Sequence, residues 1–119
     1  MKNFLHTSPF WLRMIFPNYL WRKPKIKGKP SLYLSFDDGP IPELTAWVLD
    51  QLAKHKARAT FFCIGDNVRK HPQVFKRLTA EGHSIGNHSF NHLNGWKNDV
   101  PTYVDNVLKC EPYFKTTLF

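Results

Sequence analysis

From Ser31 onward the chain alternates short uninterrupted apolar runs with amphipathic segments, and few architectures accept that pattern. Ser31 to Phe36 (SLYLSF), Ala59 to Ile64 (ATFFCI) and His83 to Asn87 read as strands, and Thr116 to Phe119 reads as the start of a fourth. Between them, Leu44, Trp47, Val48 and Leu52 recur at helical spacing over residues 43–55, with Pro42 where a helix begins. His71-Pro72 opens a second helix that turns Val74, Phe75 and Leu78 inward and stops at Gly82. Asp99 to Phe114 predicts a third, with Val100, Tyr103, Val104, Val107 and Leu108 on one face. Continuous apolar strands joined by such helices imply an α/β fold, a parallel sheet covered by helices.

In folds of this kind the reactive residues gather at the C-terminal ends of the strands. Asp37-Asp38-Gly39-Pro40 follows the first run, and His88-Ser89-Phe90-Asn91-His92 follows the third. Neighbouring carboxylates at a strand end point different ways, so one can face a cation while the other faces a substrate. Alone, Asp-Asp-Gly-Pro is equally a turn in which Asp caps the backbone. The spacing of His88 and His92 brings both rings to one face of a helical turn, and by itself that pair is a weak signal. Jointly the two motifs supply two imidazoles and a carboxylate, a ligand set for catalytic zinc or non-haem iron, with one carboxylate left over as a base.

The remaining candidates carry less. His6, His55, His71 and His83 belong to no constellation and read as surface or structural residues, with His83 near enough to the third strand to support the ligands. Trp96 follows the histidines and is placed to line a substrate cleft. Cys63 and Cys110 form no CxxC pair; Cys63 reads as a small buried hydrophobe, and neither has the surroundings of a nucleophile.

The net charge of +8 belongs to one end of the chain. Lys2, Arg13, Arg22, Lys23, Lys25, Lys27 and Lys29 fall within residues 1–30, which hold no acidic residue, whereas beyond them Lys and Arg nearly balance the nine Asp and Glu. Residues 1–30 thus read as an arm, aromatic first and then basic, with Pro24, Gly28 and Pro30 opposing regular structure. Three readings apply to it: packing of Phe10, Trp11, Leu12, Ile15 and Phe16 on the domain, peripheral membrane contact through residues 9–29, or nucleic-acid binding. Aromatics followed by Lys and Arg suit a membrane interface better than a nucleic-acid groove, so no nucleic-acid partner is expected. Arg13, Pro17 and Asn18 interrupt the apolar stretch, which also lacks the cleavage site of a signal peptide.

The two motifs resemble those of the polysaccharide deacetylase family, also called the NodB homology domain. Ser35 to Pro40 matches its Thr-Phe-Asp-Asp-Gly-Pro motif with Ser for Thr, and His88 to His92 matches its His-(Ser/Thr)-x-x-His motif. Ala59-Thr60-Phe61-Phe62 and Gly82 to His88 are also typical of it. The resemblance covers residues 31–119. It implies a distorted (β/α) barrel related to the TIM barrel, and a metal-dependent N-deacetylase acting on N-acetylated glycans of the peptidoglycan or chitin kind. Asp37 would be the general base on the attacking water, and Asp38, His88 and His92 would hold the metal, zinc in most members and cobalt, nickel, manganese or iron in others.

The family's Arg-Pro-Pro-Tyr-like third motif would follow Thr116 to Phe119, and with it would come an Arg, an oxyanion-stabilising amide, a later Asp and the late His that acts as general acid. The expectation is therefore the N-terminal half of an incomplete barrel: a partial domain over residues 31–119 that assembles a metal site, is inactive alone, and associates with itself through an open apolar strand edge. The alternative is a catalytically silent metal- or carbohydrate-binding module. The cell envelope or a membrane surface is favoured over the cytoplasm as its location.

Overall fold

The structure, a computed structural model, describes residues 8–21 and 31–115. The chain divides into two compact units, Met1–Leu32 and Tyr33–Phe119. In the first, α1 (Phe10–Ile15) is a single short helix. The rings of Phe16 and Tyr19 meet edge-on at 5.7 Å, and the Trp21 indole N–H donates to the Phe16 carbonyl at 2.8 Å. No helix among the described residues is long and apolar enough to cross a membrane. The basic run from Arg22 to Pro30 and the expected strand at Thr116 to Phe119 lie outside the described residues.

The second unit runs β1 (Ser35–Gly39), α2 (Pro42–Lys54), β2 (Thr60–Cys63), α3 (Gly65–Lys70), α4 (Pro72–Ala80), β3 (Ser84–Asn87), a 3-10 turn (Gly95–Lys97), α5 (Val100–Leu108) and α6 (Glu111–Lys115). The strands form a parallel sheet in the order β1-β2-β3, as the alternation of apolar runs and helices predicts. Phe36, Phe61 and Ile85 align across it and share one face, with Phe36 and Phe61 stacked at 5.1 Å. That face packs on Leu49, Leu52, Val68, Phe75 and Leu78 from α2, α3 and α4, which together make the core. The opposite face presents Ser35, Asp37, Phe62 and Ser84, and all four are exposed.

Three local departures from the sequence-based expectation matter for the site. The first strand begins at Ser35 rather than Ser31. Its partner β2 opens opposite Ser35, where the Thr60 N–H donates to the Leu34 carbonyl at 3.0 Å, and Ser31 and Leu32 have no strand beside them among the described residues. Asp37, Asp38 and Gly39 consequently belong to β1 itself and not to a following turn.

Gly65, expected to close β2, instead starts α3, a helix the hydrophobic pattern does not announce because it lasts barely two turns. A β-carbon at Gly65 would stand 2.6 Å from the Cys110 sulfur and 2.9 Å from the Phe90 ring, so close packing is what demands glycine there.

The single helix expected over 99–114 is broken into α5 and α6. Pro112 has no N–H to give the Leu108 carbonyl and its ring opposes that carbonyl, so the helix cannot run through. Nor does the apolar stripe of α5 face inward: Val100 is 75% exposed and Leu108 51%, while Asn106 and Cys110 are buried. On α2, Leu44 and Trp47 are likewise exposed, and Thr45, Leu49 and Leu52 are the buried residues.

Candidate metal centre

Both sequence motifs lie at the same end of the sheet because parallel strands end on the same side. Within β1, Asp37 pairs with Phe62 and Gly39 with Cys63, which leaves Asp38 as the extra residue of a bulge. Its φ of +67° is left-handed, a conformation that costs a non-glycine residue about 1–2 kcal/mol. Hydrogen bonds on either side hold it there. The Asn67 side-chain amide donates to the Asp38 carbonyl at 2.8 Å, and the Ile64 N–H donates to the Gly39 carbonyl at 2.9 Å.

The histidine loop is fixed the same way. The His88 N–H donates to the Cys63 carbonyl at 2.9 Å, which carries the ladder one residue beyond β3. The chain then turns through Ser89 and His92, both left-handed with φ of 62° and 58°. Backbone N–H groups of Gly65 and Asp66, at the start of α3, donate to the carbonyls of Ser89 and Phe90 at 3.0 and 2.8 Å. Asn87 accepts from the Ser89 N–H at 2.9 Å and donates to the Val107 carbonyl at 2.9 Å. Asn106 accepts from the Phe90 N–H and donates to the Asn91 side chain, each at 2.9 Å.

These supports bring three side chains together. The Asp38 Oδ1 lies 3.2 Å from His88 Nε2 and 3.4 Å from His92 Nε2. One donor atom from each of the three falls within 4.8 Å of the others, the spacing a single bound cation needs. The donors are two imidazole nitrogens and one carboxylate oxygen, a set that suits zinc and its first-row neighbours. All three groups are open to solvent, so water and substrate can reach the site. Asp37 stands apart from this trio. It is exposed on the open face of the sheet beside Phe62, one residue before the bulge.

Among the other candidates, Trp96 is fully exposed on the 3-10 turn. His83 is buried, its Nδ1 accepts from the Ala59 N–H at 3.3 Å, and its ring meets Phe61 edge-on at 5.3 Å. Burial holds its imidazole below the ordinary histidine pKa, an effect that the Glu81 charge opposes and the Arg58 charge reinforces. Cys63 and Cys110 are free and buried, and burial pushes the Cys63 thiol up to about 12, far from the thiolate a nucleophile requires. Sequence reasoning assigns no role to Asn67, Asn87 and Asn106, which hydrogen-bond the segments that carry Asp38, His88 and His92. Asn106 leaves one trace, a polar residue on a helix otherwise rich in valine and leucine.

A family model described as polysaccharide deacetylase matches residues 25–118. A peptidoglycan-N-acetylglucosamine deacetylase of Bacillus cereus is 43% identical over 84 residues, 71% of this chain and 30% of the relative. A chitooligosaccharide deacetylase of Sinorhizobium fredii is 51% identical over 65 residues, 55% of this chain and 30% of the relative. Among solved structures, the peptidoglycan deacetylase PdaC from Bacillus subtilis superimposes with a TM-score of 0.69 at 34% identity, over 71% of this chain and 42% of that one. A family 4 acetyl xylan esterase from Clostridium thermocellum, in complex with a cobalt ion, does so with a TM-score of 0.64 at 34% identity, again over 71% of this chain and 42% of that one. The chain thus spans about 30% of the length of the two curated relatives. The parallel sheet, the Asp-Asp bulge facing a two-histidine loop and the match across most of the length agree: this chain belongs to the polysaccharide deacetylase family.

Proposed function

We propose that the chain carries the metal-holding and water-activating part of a metal-dependent N-deacetylase for glycans rich in N-acetylglucosamine. The observation that carries this reading is the convergence of Asp38, His88 and His92, which come from separate strand ends and present their donor atoms within 4.8 Å. These three residues would hold a divalent ion, zinc first, with cobalt, nickel, manganese or iron as substitutes. When bound, such an ion supplies Lewis acidity, lowering the pKa of a coordinated water and polarising the amide carbonyl. Asp37, exposed and one residue upstream, takes the proton from the attacking water as general base. Asp38 lies in the bulge and Asp37 in the regular part of β1, a difference in backbone setting that supports distinct roles for the two carboxylates. The names of the relatives support a peptidoglycan or chitooligosaccharide substrate.

The same reading makes this an incomplete barrel. Among the described residues, three strands leave one face of the sheet and the apolar stripe of α5 exposed, and the chain spans under half of each of these relatives. On this reading no general acid or oxyanion donor is assigned within residues 1–119, and the chain associates with itself through its exposed apolar surfaces. The second reading is a metal- or glycan-binding module without turnover, which the exposed trio of donor atoms would equally serve. Acetate release from N-acetylglucosamine oligomers, measured with and without chelator on a protein extended to the full length of its relatives, decides between the two. Chelator-sensitive release supports the enzyme; zinc binding with no release under any divalent metal supports the module.

A further inference from the structure

Asn106 is a polar side chain buried to 92% on a helix whose Val100, Val104 and Leu108 are exposed. Amphipathic packing would turn α5 the other way, with Val104 and Leu108 inward and Asn106 out. Beside the Asn87 bond to the Val107 carbonyl, a pair of hydrogen bonds from Asn106 supports the observed orientation. The Asn106 Oδ1 accepts from the Phe90 N–H and its Nδ2 donates to the Asn91 Oδ1, both at 2.9 Å. The backbone donor at Phe90 can face only the oxygen, so the amide orientation is determined by the network itself.

Both contacts fall inside the short loop between His88 and His92. That loop carries two left-handed residues, Ser89 and His92, and a loop so strained keeps its shape only where its surroundings over-determine it. The α3 amides hold the carbonyls of Ser89 and Phe90, and Asn87 holds the Ser89 N–H, but the Phe90 N–H and the Asn91 side chain are held by Asn106. A buried amide bonded through both its oxygen and its nitrogen selects one geometry among several of similar packing energy.

We propose that Asn106 is a positioning residue for the metal site, fixing the separation and orientation of His88 and His92 from α5 through the Phe90 backbone and Asn91. This rests on the assignment of Asp38, His88 and His92 as metal ligands. Asn106 touches none of them, and its effect is on the affinity and geometry of the site.

The test is metal binding by the full 119-residue chain. Zn2+ affinity is read by chelator competition and ligand geometry by the visible spectrum of the Co2+ form, below the melting transition of each variant. Asn106→Leu, which removes both hydrogen bonds at similar volume, is expected to weaken zinc binding about 10–100-fold, the range seen when residues that orient metal ligands are lost, and to alter the Co2+ spectrum. Asn106→Asp keeps the acceptor for Phe90 and recovers part of that loss. Should Asn106→Leu fail to fold, Asn91→Ala removes half of the clamp from an exposed position and is expected to weaken zinc binding severalfold with the melting temperature unchanged. Zinc affinity within twofold of native and an unaltered Co2+ spectrum, in folded Asn106→Leu or in Asn91→Ala where the first does not fold, overturns the proposal. A native chain that binds neither ion removes the ligand assignment itself, and the positioning role falls with it.

Discussion

The side-chain amide of Asn67 donates to the main-chain carbonyl of Asp38 at 2.8 Å, tying the first turns of α3 to the bulge that carries a candidate metal ligand. Asn67 is exposed enough that its removal leaves no cavity. Asn67→Ala is expected to cost about 1 kcal/mol of stability, the usual net worth of one such bond, and to weaken zinc binding severalfold because Asp38 loses the restraint on its left-handed backbone. Urea denaturation gives the first quantity and chelator competition the second. A change in stability with unchanged affinity would show that the bulge holds its shape unaided.

Metal addition separates the two aspartates. Zinc at a hundredfold excess over its dissociation constant should stabilise the native chain by about 2.7 kcal/mol, and chelator should reverse this. Asp38→Ala and His92→Ala are expected to show no such shift. Asp37→Asn is expected to keep it, while costing about 10²–10⁴ in turnover where a protein long enough to turn over is assayed. Calorimetry with and without zinc reads the first effect; loss of the shift in Asp37→Asn would place that carboxylate among the ligands.

Gly65 lies where α3, α6 and the histidine loop meet. The added methyl of Gly65→Ala would meet the Cys110 sulfur at 2.6 Å and the Phe90 ring at 2.9 Å, and Cys110 is fully buried and cannot move aside. The expected loss is about 1–3 kcal/mol, as for other overpacked sites. Cys110→Ala in the same chain removes the nearer obstacle, so the double variant should be more stable than the sum of the two single changes predicts. Urea denaturation of the four proteins measures that coupling.

The chain should lose stability as pH falls through the histidine range. His83 is buried and its imidazole is held below its ordinary value, so the unfolded chain binds that proton more readily than the folded one. The groups around it are Glu81 after α4 and Arg58 before β2, with Lys56 and Arg77 lining the same groove. Stability from the neutral ring is complete above the unfolded histidine's pKa, near 6.5, and is lost as pH falls through it toward the folded value. His83→Gln should flatten this part of the profile. Melting temperatures from pH 5 to 8 test it, and an equal slope in both proteins would assign the titration elsewhere.

The uncovered stripe of α5 should make the chain associate. Native protein is expected to sediment above its 14.0 kDa mass, and Val104→Glu with Leu108→Lys should return it toward the monomer without unfolding, since both side chains are already about half exposed. A monomeric native chain would end the idea that these surfaces are sticky.

The convergence of Asp38, His88 and His92 and the parallel sheet were legible in the chain because both are local signals. Asp37-Asp38-Gly39-Pro40 and His88 to His92 are short motifs following apolar runs, and parallel strands end on one side, so the two motifs lie at the same end of the sheet whatever joins them. The helix boundaries were less legible. Pro112 announces the break before α6 in plain sight, but the run of apolar residues on either side of it imitates one continuous helix.

By itself, then, the sequence determined the donor chemistry, the alternation of strands and helices, and the end of the sheet at which the chemistry gathers. The tertiary structure alone decided that Asp38 sits in a bulge, that α3 exists and clamps both motif loops, and that α5 faces the site with Asn106 rather than with its apolar stripe. The reason is range. Hydrophobic periodicity reports what each segment would do alone, whereas bonds such as Asn67 to Asp38 and Asn106 to Phe90 join residues far apart in the chain and override it once the strands have brought them together.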